Sequence, residues 1–323
     1  MDLKTITLPI RDELKIFEQH FRDAMKSKVG LVGTVARYII RQKGKRVRPA
    51  LVLLSAATCG KINKRTYRAA SLVELLHTAT LVHDDVVDEA ETRRGLASIN
   101  AIWKNKVAVL MGDYLLARGL MLSVEASDYE FLRITSTAVK RMSEGELLQI
   151  QKSRKLDIDE ATYLRIISDK TASLLSTCCE IGSASVTDDA ALKRRMKEFG
   201  ENIGIAFQIQ DDLFDYVGSA STIGKPIGID MQEKKITLPL IHAFTKAPKS
   251  ESRSIIRLLK DGIKSKEMSE VVSFVKRYGG LDYALARAQE FSKRAQENIS
   301  IFPNSPAKES LMKFAQFVVD RVK

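Results

Sequence analysis

At 323 residues, with 45% hydrophobic and 28% charged side chains, the chain is long enough to bury a substantial core, and its composition argues against disorder and membrane embedding. A formal net charge of +12 admits nucleic acid, an anionic surface or a small polyanion as partner. Lys and Arg are dispersed, however, and no zinc-finger, RNP-like or basic-heptad pattern occurs, so nucleic acid is not an expected partner.

The first residues, MDLKTITLPIRDELK, include acidic side chains and no apolar core, which excludes a secretory signal. Gly44-Lys45-Arg46-Val47-Arg48-Pro49 then sets several cations ahead of an apolar helix. Its stretch 50–59 is the longest apolar stretch and is far too short to cross a bilayer, so the expected location is cytoplasmic. Apolar residues recur at three- and four-residue steps over 67–87, where Leu72, Leu75, Leu76, Ala79 and Val82 predict a helix. Further helices are predicted over 107–125, 129–151, 159–181 and 189–216. No segment shows sustained strand-like alternation, and no repeat or low-complexity linker divides the chain. The expectation is a single all-α domain spanning residues 1–323. Residues 218–230, GSASTIGKPIGID, cannot continue the preceding helix and are expected to form a mobile loop. The Gly224-Lys225 pair inside it is not a P-loop, because Pro226 stands where Ser or Thr is required. Cys59, Cys178 and Cys179 offer neither paired disulfides nor a metal knuckle and read as reduced packing residues.

Two acidic clusters stand out. His83-Asp84-Asp85-Val86-Val87-Asp88 closes the first of these helices, and Asp211-Asp212-Leu213-Phe214-Asp215 follows the apolar run 203–209. Within each cluster the outer aspartates are four residues apart and stack on one helix face. Such like-charge pairs oppose a helix by about 0.2–0.5 kcal/mol each at a surface, and by more beside apolar packing. A divalent cation removes the conflict, and an all-oxygen donor set suits Mg²⁺ or Mn²⁺ rather than Zn²⁺. A single such motif is as readily a solvated helix end. Two of them, each after a buried-looking helix, point to a pair of clusters that clamp a diphosphate through metal ions.

Basic residues accompany both clusters. Arg93-Arg94 follows the first, Lys170 lies mid-helix in SDKTASLL, and Lys225 and Lys234-Lys235 follow the second. Singly each is as well explained as surface. Together with Lys45 and Arg48 they describe a pocket for more phosphate than one carboxylate-held metal would hold.

On these blocks the chain resembles the trans-polyprenyl diphosphate synthases. The matching segments are GKRVRP (44–49), ELLHTATLVHDDVVDEAETRRG (74–95), MGDYLLARG (111–119), DKTASLL (169–175), FQIQDDLFDYVG (207–218) and KKITLPL (234–240). The resemblance implies a homodimer of subunits in which antiparallel helices surround a central cavity. It implies that Asp84, Asp85, Asp88, Asp211, Asp212 and Asp215 hold about three Mg²⁺ ions on an allylic diphosphate, some through waters. Arg93, Lys170 and Lys225 match cations that grip that diphosphate, with Lys235 nearby. Lys45, Arg48, His77 and Arg94 match the site for isopentenyl diphosphate, and Thr171 and Gln208 match polar residues close to the reacting carbons. The implied reaction is ionisation of the allylic substrate and attack by isopentenyl diphosphate. The glycine loop acts as a lid in this reading, and the product is handed on to membrane enzymes.

Product length is read upstream of the first cluster. One turn, about 5.4 Å, behind Asp84 lie Ala79 and Thr80, both small, so the expected product is medium to long, about thirty to forty carbons. Leu75, Leu76 and Met121 are candidates for the deeper floor. The alternatives are a shorter-chain farnesyl or geranylgeranyl diphosphate synthase, a terpene cyclase or head-to-head synthase, and a non-catalytic partner subunit. The intact second DDLFD block and the GKRVRP segment argue against the cyclase, and the six retained aspartates argue against the inert subunit. The segment 250–323 matches weakly and is expected to be helical packing, with Arg321 and Lys323 as a basic cap.

Overall fold

The computed structural model describes residues 2–42, 44–217, 229–232, 235–262 and 265–321. Among these the chain is helical almost throughout, and the one strand pairing is a short antiparallel ladder of Thr92–Arg93 with Leu96–Ala97. The N-terminal half runs α1 (Leu3–Ile6), α2 (Arg11–Ala24), α3 (Gly30–Arg41), α4 (Val47–Cys59), α5 (Lys64–Val87), α6 (Ile99–Glu125) and α7 (Tyr129–Lys155). Then come α8 (Glu160–Ile167), a single π turn (Ser168–Ala172), α9 (Ser173–Ala184) and α10 (Ala190–Val217). Shorter helices follow at Ile229–Gln232, Leu238–Lys246, Lys249–Asp261, Ser265–Arg277, Gly280–Ile299 and Pro306–Asp320.

Local signals explain the boundaries. Asn63 and Thr66 form a reciprocal capping box at the start of α5. The Ser98, Asp159 and Asp189 side chains accept from the first free amides of α6, α8 and α10. At Lys104 the backbone has φ 69°, which breaks α6 near its start. The apolar periodicity of that helix accordingly begins only beyond this point. All three cysteines are free, and burial pushes the Cys59 and Cys179 thiols up to about 12.

The coordinates cluster into two compact units. The first comprises Met1–Thr137, Thr177–Lys197 and Phe302–Leu311. Here α5 is buried along most of its length, as a helix that is apolar on nearly every side must be, and it packs chiefly on α6. Glycines bring these two helices together. A Cβ at Gly112 would come within 2.2 Å of the His83 ring, and one at Gly119 within 3.3 Å of Leu72.

The opposite face of α6 stays open. Val109, Leu110, Met121 and Val124 are exposed and fall within about 120° of one face at 100° per residue. By length and composition α6 would suffice to cross a membrane, with 33% of its most apolar window buried. Met121, 44% exposed, therefore belongs to this outer face and not to the floor beneath the first cluster, because its position along α6 places it with Leu110 and Val124. Leu75 and Leu76 are buried.

The second unit comprises Ala138–Ser176, Glu198–Ile301 and Met312–Lys323. Its core gathers Phe199, Ile203 and Ile209 of α10 with Leu238, Val271 and Ala288 from the later helices, all essentially buried. Glycines again set close approaches. A Cβ at Gly280 would lie 2.2 Å from the Pro239 carbonyl, and one at Gly204 would lie 2.4 Å from the Ala172 Cα.

Candidate active site

In the first unit the last turn of α5 carries Asp84, Asp85 and Asp88, and the three have different surroundings. Asp84 and Asp88 are exposed, whereas Asp85 is 3% exposed. Asp85 Oδ1 accepts from both Nε (2.7 Å) and Nη2 of Arg93. Asp85 therefore serves as the counter-ion that aims Arg93, while Asp84 and Asp88 stand on the exposed side of the turn, where a cation can reach them. Among the described residues no group of three His, Cys, Asp or Glu side chains is already gathered as a metal site. Magnesium does not require one, since it takes one or two carboxylates and completes its shell with water and substrate phosphate. The Asp84 and Asp88 pair fits that demand.

Behind this cluster lies a concentration of positive charge. Arg46, at φ 51°, opens α4 and donates to the buried Glu74 at 2.5 Å, with its guanidinium over the Phe21 ring. Arg94 donates to the Gln42 carbonyl and packs so tightly over Gly44 that a Cβ there would lie 2.5 Å from its Nη1. Arg48 is half-buried, and its Nε is buried without a hydrogen-bond partner. Burial holds both the Arg48 and the Arg94 guanidinium below the ordinary arginine range. His77 is buried, and burial together with Arg48, Arg94, Arg93 and Arg46 holds its imidazolium well below the ordinary value. A neutral His77 under the field of four arginines, one of them with an unsatisfied buried donor, can take up an anion. Lys45 is exposed at its edge. Ala79 is buried and Thr80 half-buried, one turn behind Asp84.

In the second unit a cleft brings together Lys170, Thr171, Gln208, Asp212 and Lys235, all singled out in the sequence. Asp212 is buried and doubly satisfied, accepting from Tyr163 Oη and from Gln208 Nε2, each at 2.7 Å. Gln208 Oε1 in turn accepts from Thr171 Oγ1 at 2.8 Å. The Lys170 ammonium bridges Gln149 Oε1 at 3.0 Å and Glu146 Oε2 at 2.6 Å. Ile166, Ile167 and Ile236 supply the apolar wall. Asp211 and Asp215 are half-buried, and Asp211 pairs with Arg321 Nη2 at 3.2 Å. Arg321 also stacks on Phe207 at 3.9 Å and donates to the Phe207 carbonyl, so the expected C-terminal basic cap is present at this residue.

Sequence reasoning missed Tyr163, which holds Asp212, and Lys152 and Gln149, which line the same cleft. A heptad-like reading of α7 would have found the last two, since they lie one turn apart on the face that carries Glu146. Lys225, Lys234, Lys323 and the 218–228 portion of the glycine loop, with its lid role, lie outside the described residues.

Residues 30–275 match the model of the polyprenyl synthetase family. The chain is 38% identical to an all-trans-nonaprenyl-diphosphate synthase (geranyl-diphosphate specific) of Rhodobacter capsulatus over 98% of its own length and 97% of the relative's. It is 31% identical to heptaprenyl diphosphate synthase component 2 of Geobacillus stearothermophilus, over 99% of each chain. The crystal structure of a decaprenyl diphosphate synthase from Rhodobacter capsulatus superposes with a TM-score of 0.93 at 32% identity, covering 100% of both chains. The carboxylates, the arginine cluster around His77 and the cleft lined by Lys170 and Asp212 thus sit in a chain with these likenesses along its whole length, and the chain belongs to the polyprenyl synthetase family of all-α prenyltransferases.

Proposed function

We propose that this chain condenses an allylic diphosphate with isopentenyl diphosphate and repeats the step to a linear product in the heptaprenyl-to-decaprenyl range. The observation that carries the reading is the buried, unpartnered Arg48 donor beside a neutral His77. A buried cationic donor left unpartnered is costly unless an acceptor completes it, and a diphosphate is such an acceptor. Lys45, Arg48, Arg94 and His77 hold the diphosphate of isopentenyl diphosphate. The allylic diphosphate is held by Arg93, aimed by Asp85, by Lys170 and, in the same reading, by Lys225 and Lys235.

Magnesium fits the donor set of Asp84, Asp88, Asp211 and Asp215, and when bound it supplies the Lewis acidity that lets the allylic C–O bond break; manganese is the alternative ion. Asp212 and Gln208 hold Thr171 toward the reacting carbons, and the isoleucine wall keeps water from the cationic carbon. The departing diphosphate takes the proton lost on coupling.

The small residues Ala79 and Thr80 support continued growth of the chain. The relatives named nonaprenyl and decaprenyl synthases extend the expected length upward. Ala79→Tyr, which sets a ring one turn, about 5.4 Å, behind Asp84, is expected to shorten the product without abolishing turnover. The exposed apolar face of α6 supports a homodimer, checked by sedimentation equilibrium. A cytoplasmic location, and transfer of the apolar product to membrane enzymes, complete the proposal.

The test is purified protein with radiolabelled isopentenyl diphosphate, an allylic diphosphate and Mg²⁺, with and without EDTA, followed by product sizing. A ladder ending in the long-chain range and abolished by EDTA is expected. A dominant fifteen-carbon or cyclic product would refute it. Activity appearing only on mixing with a second, different subunit would replace the homodimer by a two-component enzyme.

A further inference from the structure

The backbone that presents Lys170 and Thr171 is unusual. Between α8 and α9 the chain makes one π turn, Ser168–Ala172, in which the Ser173 amide bonds to the Ser168 carbonyl five residues back. A π bulge adds one residue to a helix. Were it to relax, Lys170 and Thr171 would rotate by about 100° relative to one of the flanking helices and leave the cleft they line.

What holds the bulge lies on its far side. From α7, Arg141 donates through Nε to Asp169 Oδ1 at 2.7 Å and through Nη2 to Ser168 Oγ at 2.8 Å. The same guanidinium forks onto Glu201 of α10, at 2.6 Å and 3.1 Å, and Ser168 Oγ also donates to Glu201. Two consecutive residues of the turn, Ser168 and Asp169, are thereby tied to two other helices through one planar group. The bonds to Glu201 and Asp169 hold Arg141 firmly in its charged form. Glycines let those helices approach. A Cβ at Gly145 would lie 2.9 Å from the Lys170 amide nitrogen, and one at Gly200 would lie 2.6 Å from the Leu175 carbonyl. Arg141, Ser168, Asp169 and Glu201 are not among the residues lining the cleft.

We propose that Arg141, Glu201 and Asp169 are positioning residues that keep the π turn wound, so that Lys170 and Thr171 point at the allylic diphosphate. This rests on the reading of the cleft as the allylic site. Alternating contacts divide the labour: Ser168 and Asp169 face the anchor, while Lys170 and Thr171 face Gln149 and Gln208.

The experiment compares Arg141→Met, Asp169→Ala and Asp169→Asn with the parent enzyme. The readouts are KM for each substrate, thermal stability, and calorimetric affinity for an allylic thiodiphosphate that resists ionisation. Loss of a charged bond of this kind corresponds to about a tenfold change. Arg141→Met and Asp169→Ala are therefore expected to weaken thiodiphosphate binding and raise the allylic KM about tenfold. KM for isopentenyl diphosphate should stay within about twofold. Asp169→Asn, which keeps the Oδ1 acceptor, is expected to restore most of the loss. A folded Arg141→Met with unchanged thiodiphosphate affinity overturns the inference, and so does an Asp169→Asn as impaired as Asp169→Ala. Where Arg141→Met does not fold, the Asp169 pair decides. Lys170→Ala serves as the control: if it leaves thiodiphosphate affinity intact, the cleft assignment itself fails, whatever the other variants do.

Discussion

The two aspartate clusters have nearly the same sequence, DDVVD and DDLFD, and differ in how far their surroundings satisfy them. At the end of α5 Asp85 is buried and held by Arg93; Asp84 and Asp88 are exposed, and the arginines behind them include one buried donor with no partner. In α10 the central Asp212 is buried with two donors, and those donors belong to a chain of bonds reaching Thr171. The first central carboxylate is thus held by a charge and the second by neutral donors, while each region keeps a buried guanidinium nitrogen without a partner, Arg48 Nε in the first and Arg321 Nε in the second. A substitution at an exposed aspartate of the first cluster and one at the buried centre of the second should therefore differ in what they do to folding.

The largest expected effect is Asp84→Ala. Removing one of the outward carboxylates is expected to lower turnover about a thousandfold, in line with the several kcal/mol that a metal contributes. Thermal stability should be unchanged or slightly higher, because an i,i+4 repulsion with Asp88 disappears. A clear drop in Tm would break the comparison. Next comes Arg48→Met, expected to raise KM for isopentenyl diphosphate about a hundredfold while Tm holds or rises, since the unpartnered buried Nε is replaced by an apolar chain of similar volume. Loss of stability with KM intact would make Arg48 a packing residue.

Asp212→Ala should behave in the opposite way to Asp84→Ala. It strands the Tyr163 hydroxyl and the Gln208 amide, so unfolding free energy in denaturant is expected to fall by about 1–3 kcal/mol. The smallest effect is in pH. Burial and the surrounding arginines keep His77 unprotonated in the folded state well below 6.5. As pH falls through about 6.5 the unfolded chain gains a proton that the folded chain refuses, so stability declines on the acid side, by at most about 1.4 kcal/mol per pH unit. His77→Gln is expected to flatten that slope, measured by urea titrations between about pH 7 and 5.

The long helices were legible because their apolar spacing is regular and their ends carry cap residues, as at Asn63 and Ser98. Both acidic motifs were legible because three carboxylates beside an apolar face have few purposes. Three features were not. The π turn at Ser168–Ala172 reads as continuous helix, since the bulge is imposed by Arg141 and Glu201, distant in sequence. The unequal burial within DDVVD depends on Arg93 folding back through a short strand pair. Met121 was misplaced because an apolar residue on an amphipathic helix does not reveal which face its neighbours cover.

The uncovered stripe on α6 also bears on how the protein assembles. If the proposed homodimer forms over the exposed Val109, Leu110, Met121 and Val124, pairing is a separate, second-order event that slows on dilution. Refolding is therefore expected to show a late phase whose rate scales with protein concentration, and aggregation should compete with it most strongly while unpaired subunits persist.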